Sequence, residues 1–312
     1  MCIRDSFTTL GLVAGQAVYV GDGSAVKSFA TAANNGIKRV RAVEADAIHL
    51  DKSERSMSNE TGTGRAIRLF FGIAVKNAKD RQYFQMERQL GAPDDASPDQ
   101  VQAQYLVGLS PGEMSIEIDS QSLMRTSFNF QGIDEELVES TAALKGGARP
   151  DYIGEGTFNT SADVKHINMA PVSQTEEAPN TYFGIPNSAR FTLNNSLNPY
   201  VGVGKATPYA ISASTPEIGG NITSSFVDVA ALRARRTNED VTVDAFMGKD
   251  GKGIVVDFPL VSVGGPPPEI AQGEPITISL DFTAGEGTRV HADYDHAIML
   301  SFFDYLPAVA SE

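Results

Sequence analysis

The densest set of side chains able to do chemistry is His291-Ala-Asp293-Tyr-Asp295-His296. On a strand, His291, Asp293 and Asp295 share one face and His296 turns away. A zinc site needs three or four converging ligands. The chain has four histidines, and His49 and His166 fall in separate elements. The stretch therefore reads as a polar turn entering the last strand. Gly62-Thr63-Gly64-Arg65 and Gly248-Lys249-Asp250-Gly251-Lys252-Gly253 look superficially like phosphate loops. Both lack the strand-loop-helix context that aims backbone N–H groups at a phosphate, so they read as linker and turn. Ser and Asp are abundant, yet no Gly-x-Ser-x-Gly elbow presents a nucleophile. Asp94-Asp95 sits in a Pro-flanked turn, where solvated surface is the default. Asn221-Ile222-Thr223 fits a glycosylation pattern by chance, because no signal peptide accompanies it. Arg233, Arg235 and Arg236 could hold an anion, but a helix C-terminus or a subunit salt bridge suits them better. The expectation is no catalytic residue, no cofactor and no metal.

The elements that position these residues read as strands. Leu12 to Val20 is apolar and stops at Gly21-Asp22-Gly23; Ile37 to Val43 alternates after the Asn34-Asn35-Gly36 turn; Ala47 to Leu50 closes the unit. Ala66 to Val75 is continuously apolar, and Arg81 to Leu90 alternates after a short polar link, so the two are expected to form a hairpin. Met114 to Ile118 and Leu123 to Phe130 predict a second hairpin. Glu217 to Val227 carries Gly219-Gly220, which suggests a bulge or bend. Asp228 to Arg236 is the one helix candidate, with Asp228 as its cap. Lys249-Asp250-Gly251-Lys252 turns one strand into the next. Pro266-Pro267-Pro268 reads as a stiff linker. Ile276, Ile278, Leu280 and Phe282 alternate with polar residues, and His296 to Phe303 is the final strand.

This pattern predicts an all-β, antiparallel β-sandwich or barrel with one short helix, plus a small β module near the N-terminus. Residues 7–60 are assigned to the module and 61–312 to the main β domain. The stretch 131–189 reads as a long loop with acidic clusters Asp134-Glu135-Glu136 and Glu176-Glu177, interrupted by a short strand at Val164 to Met169. Residues 1–6 resemble a spurious start, so the native chain is expected to begin upstream and to lack Cys2.

Composition narrows the function classes. With 312 residues, 41% hydrophobic, the chain can bury a large core. A formal net charge of −14 argues against a protein that grips nucleic acid. It is compatible with a surface that phosphates slide past, and equally with plain solubility. One cysteine, Cys2, excludes an internal disulfide framework. No apolar run reaches the roughly 18 residues of a membrane span.

Several ordered segments resemble the phage tail tube proteins of tailed phages with long flexible tails. They are Arg65-Ala-Ile-Arg-Leu-Phe-Phe-Gly72, Phe84-Gln-Met-Glu-Arg-Gln-Leu-Gly91, Tyr105-Leu-Val-Gly-Leu-Ser-Pro-Gly-Glu-Met114 and Phe158-Asn-Thr-Ser-Ala-Asp-Val164. Phe226-Val-Asp-Val-Ala-Ala231, Asp240-Val-Thr-Val-Asp244, Gly253-Ile-Val-Val-Asp-Phe-Pro-Leu260, Glu274-Pro-Ile-Thr-Ile278 and Phe302-Phe-Asp-Tyr-Leu-Pro307 continue the series. The resemblance runs from about residue 12 to 307. It implies a structural virion protein and not an enzyme: hexameric rings stacked into a hollow tube that conducts DNA. It also implies contacts with tape measure, terminator and baseplate proteins and residence in the virion tail, with assembly in the host cytoplasm. Relatives usually carry a further N-terminal segment, which is absent here. Loop 131–189 is expected to reach a neighbouring subunit or ring, and Glu117, Asp119, Asp244 and Asp281 to lend negative charge to the lumen. The alternatives are another β-rich phage component (terminator, baseplate or decoration protein) and a carbohydrate-binding or hydrolytic β-sandwich. The absence of Trp argues against the second.

Overall fold

The fold is given by a computed structural model that describes residues 7–53, 56–61, 64–78, 80–91, 102–138, 145–146, 156–172, 186–226, 229–268, 273 and 275–310. Cys2, Asp94-Asp95, Glu176-Glu177, Asp228 and the Gly62-Thr63 half of one glycine motif lie outside these residues. The described chain is all-β and antiparallel with one short helix, as its alternation predicts.

A four-stranded sheet comes first. It contains β1 (Ala17–Val20), β2 (Gly36–Val43), β3 (Ile48–Ser53) and β4 (Leu69–Phe70), in the order β3-β2-β1-β4. The remaining large sheet draws on β5 (Ile73–Lys76), β6 (Phe84–Gly91), β7 (Gln102–Asp119), β8 (Arg125–Gln131), β9 (Asp134–Val138), β10 (Val164–Pro171) and β11 (Pro186–Asn194). A separate two-stranded hairpin, β12 (Leu197–Tyr200) with β13 (Ala210–Ala213), follows. The large sheet then takes in β14 (Glu217–Ser225), β15 (Val241–Lys249), β16 (Lys252–Gly264), β17 (Thr277–Gly285) and β18 (Met299–Phe303). Its order is β10-β15-β16-β17-β14-β11-β7-β6; β18 joins β16, β5 joins β18, and β8 and β9 join β7.

The expected hairpin between Ala66 to Val75 and Arg81 to Leu90 does not form. The apolar run is a crossover: Leu69–Phe70 pairs with β1 in the small sheet, and Ile73–Lys76 pairs with β18 in the large one. Gly72 permits the switch, because a Cβ there would overlap the Phe302 carbonyl oxygen. β6 pairs with β7 instead. The expected hairpin of β7 and β8 is present, and so is that of β15 and β16. The latter closes through Asp250 and Gly251, both at positive φ (49° and 77°), the conformation of a two-residue hairpin turn.

Gly219-Gly220 forms no bulge. β14 keeps regular register there with both β11 and β17. The glycines serve close packing: a Cβ on Gly220 would overlap the Arg190 carbonyl oxygen and come within 2.8 Å of the Phe282 ring. The helix, α1 (Ala230–Thr237), starts without a side-chain cap at Val229 and ends at Asn238 in the left-handed region. Within 131–189, β9 carries Asp134-Glu135-Glu136 and β10 pairs with β15.

The large sheet curls so that alternate residues of β7, β10, β11 and β14 to β17 share one core. Phe191, Phe258 and Phe282 form its centre, with ring centroids 5.2–6.2 Å apart. β15 is buried along both faces. Val241, Val243, Ala245 and Met247 join that core, while Phe246 packs with Ala17, Tyr19 and Ile37 of the small sheet. A strand gripped from both sides has apolar residues on both faces, Val241, Val243, Ala245 and Met247 on one and Phe246 on the other.

Candidate assembly surfaces

Two features dominate the chemistry of the molecule: a buried ionic seam between the sheets, and a bare polar face on the large sheet.

The seam starts from two lone carboxylates in apolar runs, Asp244 on β15 and Asp257 on β16. A buried charge is tolerated only when paired and hydrogen-bonded. Alternation on β15 turns Thr242 and Asp244 toward the small sheet, where β2 and β3 supply Arg39, Asp51 and Lys52. Arg39 donates Nε to Asp51 Oδ1 (2.8 Å), Nη2 to Asp51 Oδ2 (3.0 Å) and Nη1 to both Asp257 Oδ2 and Thr242 Oγ1 (3.2 Å each). Lys52 Nζ lies 2.9 Å from both Asp257 Oδ1 and Asp244 Oδ1, and it donates to Thr242 Oγ1 at 2.8 Å. His166 Nε2 of β10 sits 2.6 Å from Asp244 Oδ2. The Tyr294 hydroxyl donates to Asp51 Oδ2 at 2.9 Å, and its ring lies under the Arg39 guanidinium, 5.0 Å away.

The protonation states follow from this geometry. Burial alone would raise the Asp244 pKa, but Lys52 and His166 outweigh it and hold the carboxyl well below the usual range. Burial likewise opposes the Arg39 charge, and Asp257 and Asp51 more than offset it. Burial raises the Tyr294 phenol far above its ordinary value. Asp244 and Arg39 are thus charged around neutral pH, and Tyr294 stays a neutral hydroxyl donor. It clamps the two sheets together by directional contacts.

Asp244 is therefore not a lumen residue. It is 6% exposed and its charge is taken up by Lys52 and His166. Sequence reasoning missed the seam, because Arg39 and Lys52 look like ordinary solvated strand charges. The available signal was the isolated aspartates in Val241 to Met247 and Gly253 to Leu260.

The other three acids fall together. Across β8, β7, β11, β14 and β17 the residues Arg125, Glu117, Arg190, Asn221 and Asp281 stand directly opposite one another in sequence, so they share one face. Asp119, two residues from Glu117, is on that face too. So are Glu113 and Glu217, opposite Asn194, which leaves five carboxylates against two arginines. Arg190 reaches Glu117 (3.6 Å) and Glu113 (3.8 Å), and Asn221 Nδ2 donates to Ser279 and Asp281. The reverse face carries Ile116, Phe191, Ile222 and Leu280 into the core.

The remaining candidates have structural roles. His291 is 3.6 Å from Asp293 and His296 is 3.6 Å from Asp295, and among the described residues no three ligand groups converge. His296 is fully buried, neither ring nitrogen has a hydrogen-bond partner, and burial lowers its pKa. Lys249 and Lys252 flank the β15–β16 turn. Arg65 donates to the Ser28 carbonyl. Arg235 donates to the carbonyls of Gly265 and Pro266, tying α1 to the entry of the proline run.

A comparison with protein-family models matches residues 13–284 to the phage tail tube protein family. The chain belongs to that family. No curated protein matches it. Membership makes the chain a structural component of the virion tail.

Proposed function

We propose that this tail tube protein forms hexameric rings that stack into a hollow conduit for DNA, and that it works by assembly without catalysis. The supporting observation is the bare polar face of β7, β11, β14 and β17. Glu113, Glu117, Asp119, Glu217 and Asp281 lie there on one side of a sheet whose other side is the main core. A wall with excess carboxylate repels phosphates and keeps passing DNA from sticking. Arg190 and Arg125 temper the field and knit the strands together. Rings built from one chain use head-to-tail contacts that close by rotation. The tube would meet tape measure, terminator and baseplate proteins at its ends, after assembly in the host cytoplasm.

Charge reversal tests the lumen assignment. Tubes carrying Glu117→Lys and Asp281→Lys are expected to retain DNA during ejection and to release it as salt is raised, because the retention is electrostatic. Unchanged ejection by intact variant tubes would remove this face from the lumen.

A further inference from the structure

Among the described residues, the large sheet is open along one seam: β8 pairs only with β7 and β5 pairs only with β18. Beside β8, between it and β18, lies a groove of about 620 Å³, lined by Met114, Ile116, Met124, Phe128, Leu300 and Phe302, with Phe158 in its wall. Ile73 and Val75 stand opposite Phe302 and Leu300, extending the same apolar face. Phe128 is 62% exposed, Ile73 64%, Val75 47% and Phe302 39%. Contiguous exposed apolar side chains beside unpaired strand edges mark a protein contact.

The same chain carries a matching shape. β6, the first half of β7 and β9 form a three-stranded arm with its own small core of Ala103, Tyr105 and Val138. Met86 and Leu106 stand opposite each other on one face of the arm; Leu137, two residues from Leu106's other partner Glu135, continues that stripe. Leu137 is 66% and Met86 41% exposed. Asp134, Glu135 and Glu136 line the arm's outer strand, and Lys249 and Lys252 stand on the groove rim beside Asp250 and Asp304. The arm cannot fill its own groove. Leu106 and Ile116 are ten residues apart on one strand, roughly 33 Å at strand rise.

We infer that the groove between β8 and β18 seats the β6–β7–β9 arm of a second copy. This deepens, and rests on, the ring-forming reading. The contact is head-to-tail, so each copy gives an arm and receives one.

The test uses two full-length variants, Phe128→Glu in the groove and Leu137→Glu on the arm, with Ile73→Glu as a second groove variant. All three positions are exposed, and melting curves matching the parent confirm folding. By sedimentation velocity, each variant alone is expected to be monomeric. A 1:1 mixture of F128E and L137E is expected to stop at dimers, because one intact groove and one intact arm remain. Rings from the single variants would overturn the groove–arm contact and leave the ring reading standing, and so would a mixture that stays monomeric. A parent chain monomeric at every concentration would overturn both.

Discussion

Replacing Arg39 with Met should loosen the small sheet more than any single core truncation nearby. Methionine keeps the length of the side chain and removes the charge. Asp257 retains Lys52 at 2.9 Å, so the damage falls on Asp51. That carboxylate, on a residue 3% exposed, loses a bidentate guanidinium and keeps only the Tyr294 hydroxyl. Breaking a buried pair by removing one partner costs about 3–5 kcal/mol, because a charge is left uncompensated. For a chain of this size that lowers the melting temperature by roughly 5–8 °C. Removing both partners should cost less than removing one: Arg39→Met with Asp51→Leu leaves no orphaned charge and should regain at least about 1 kcal/mol over Arg39→Met alone. Denaturant unfolding gives the energies, and limited proteolysis of the 7–53 region shows whether that sheet detaches first. If Arg39→Met unfolds within about 0.5 kcal/mol of the parent, or the double variant is no better than the single, the seam is not the clamp described above.

Three further outcomes follow from the packing. His296 is buried with a folded pKa below its ordinary value, so the unfolded chain binds the proton first; stability should fall as pH drops below about 6.5. His296→Gln should flatten that limb in denaturant midpoints measured between pH 7 and 5. Asp244, held far below the carboxylate range, contributes stability that is complete above about pH 4 and lost as pH falls further, so Asp244→Asn should blunt the acid unfolding limb below pH 4. Gly220→Ala should destabilise by about 1–3 kcal/mol through overlap with Arg190 and Phe282, while Gly146→Ala, with open space around it, should be neutral in the same thermal melts.

Much of the fold was legible because burial imposes period two on strands. Ile278 to Phe282 reads correctly for that reason, one face meeting the core and the other the polar row through Asp281, whereas Ile276 lies just before β17 and is exposed. The Asp250-Gly251 turn was legible because few sequences tolerate two successive positive φ values. The pairing partners were not. Ala66 to Val75 looks like one buried strand, and only the carbonyl packed against Gly72 reveals that it serves two sheets. Of the four acids expected from sequence to face a lumen, Glu117, Asp119 and Asp281 share one sheet face, whereas Asp244 is buried between the sheets. Alternation says that a residue differs in direction from its neighbours; it does not say which side carries a second sheet. The same limit hid Arg39 and Lys52, whose partners on the large sheet are about 190 to 218 residues away in sequence.

The most direct test of the central claim is negative-stain electron microscopy of the purified chain across a range of concentrations. The account predicts six-fold rings and stacked tubes with an open centre. Monomers at every concentration would contradict it.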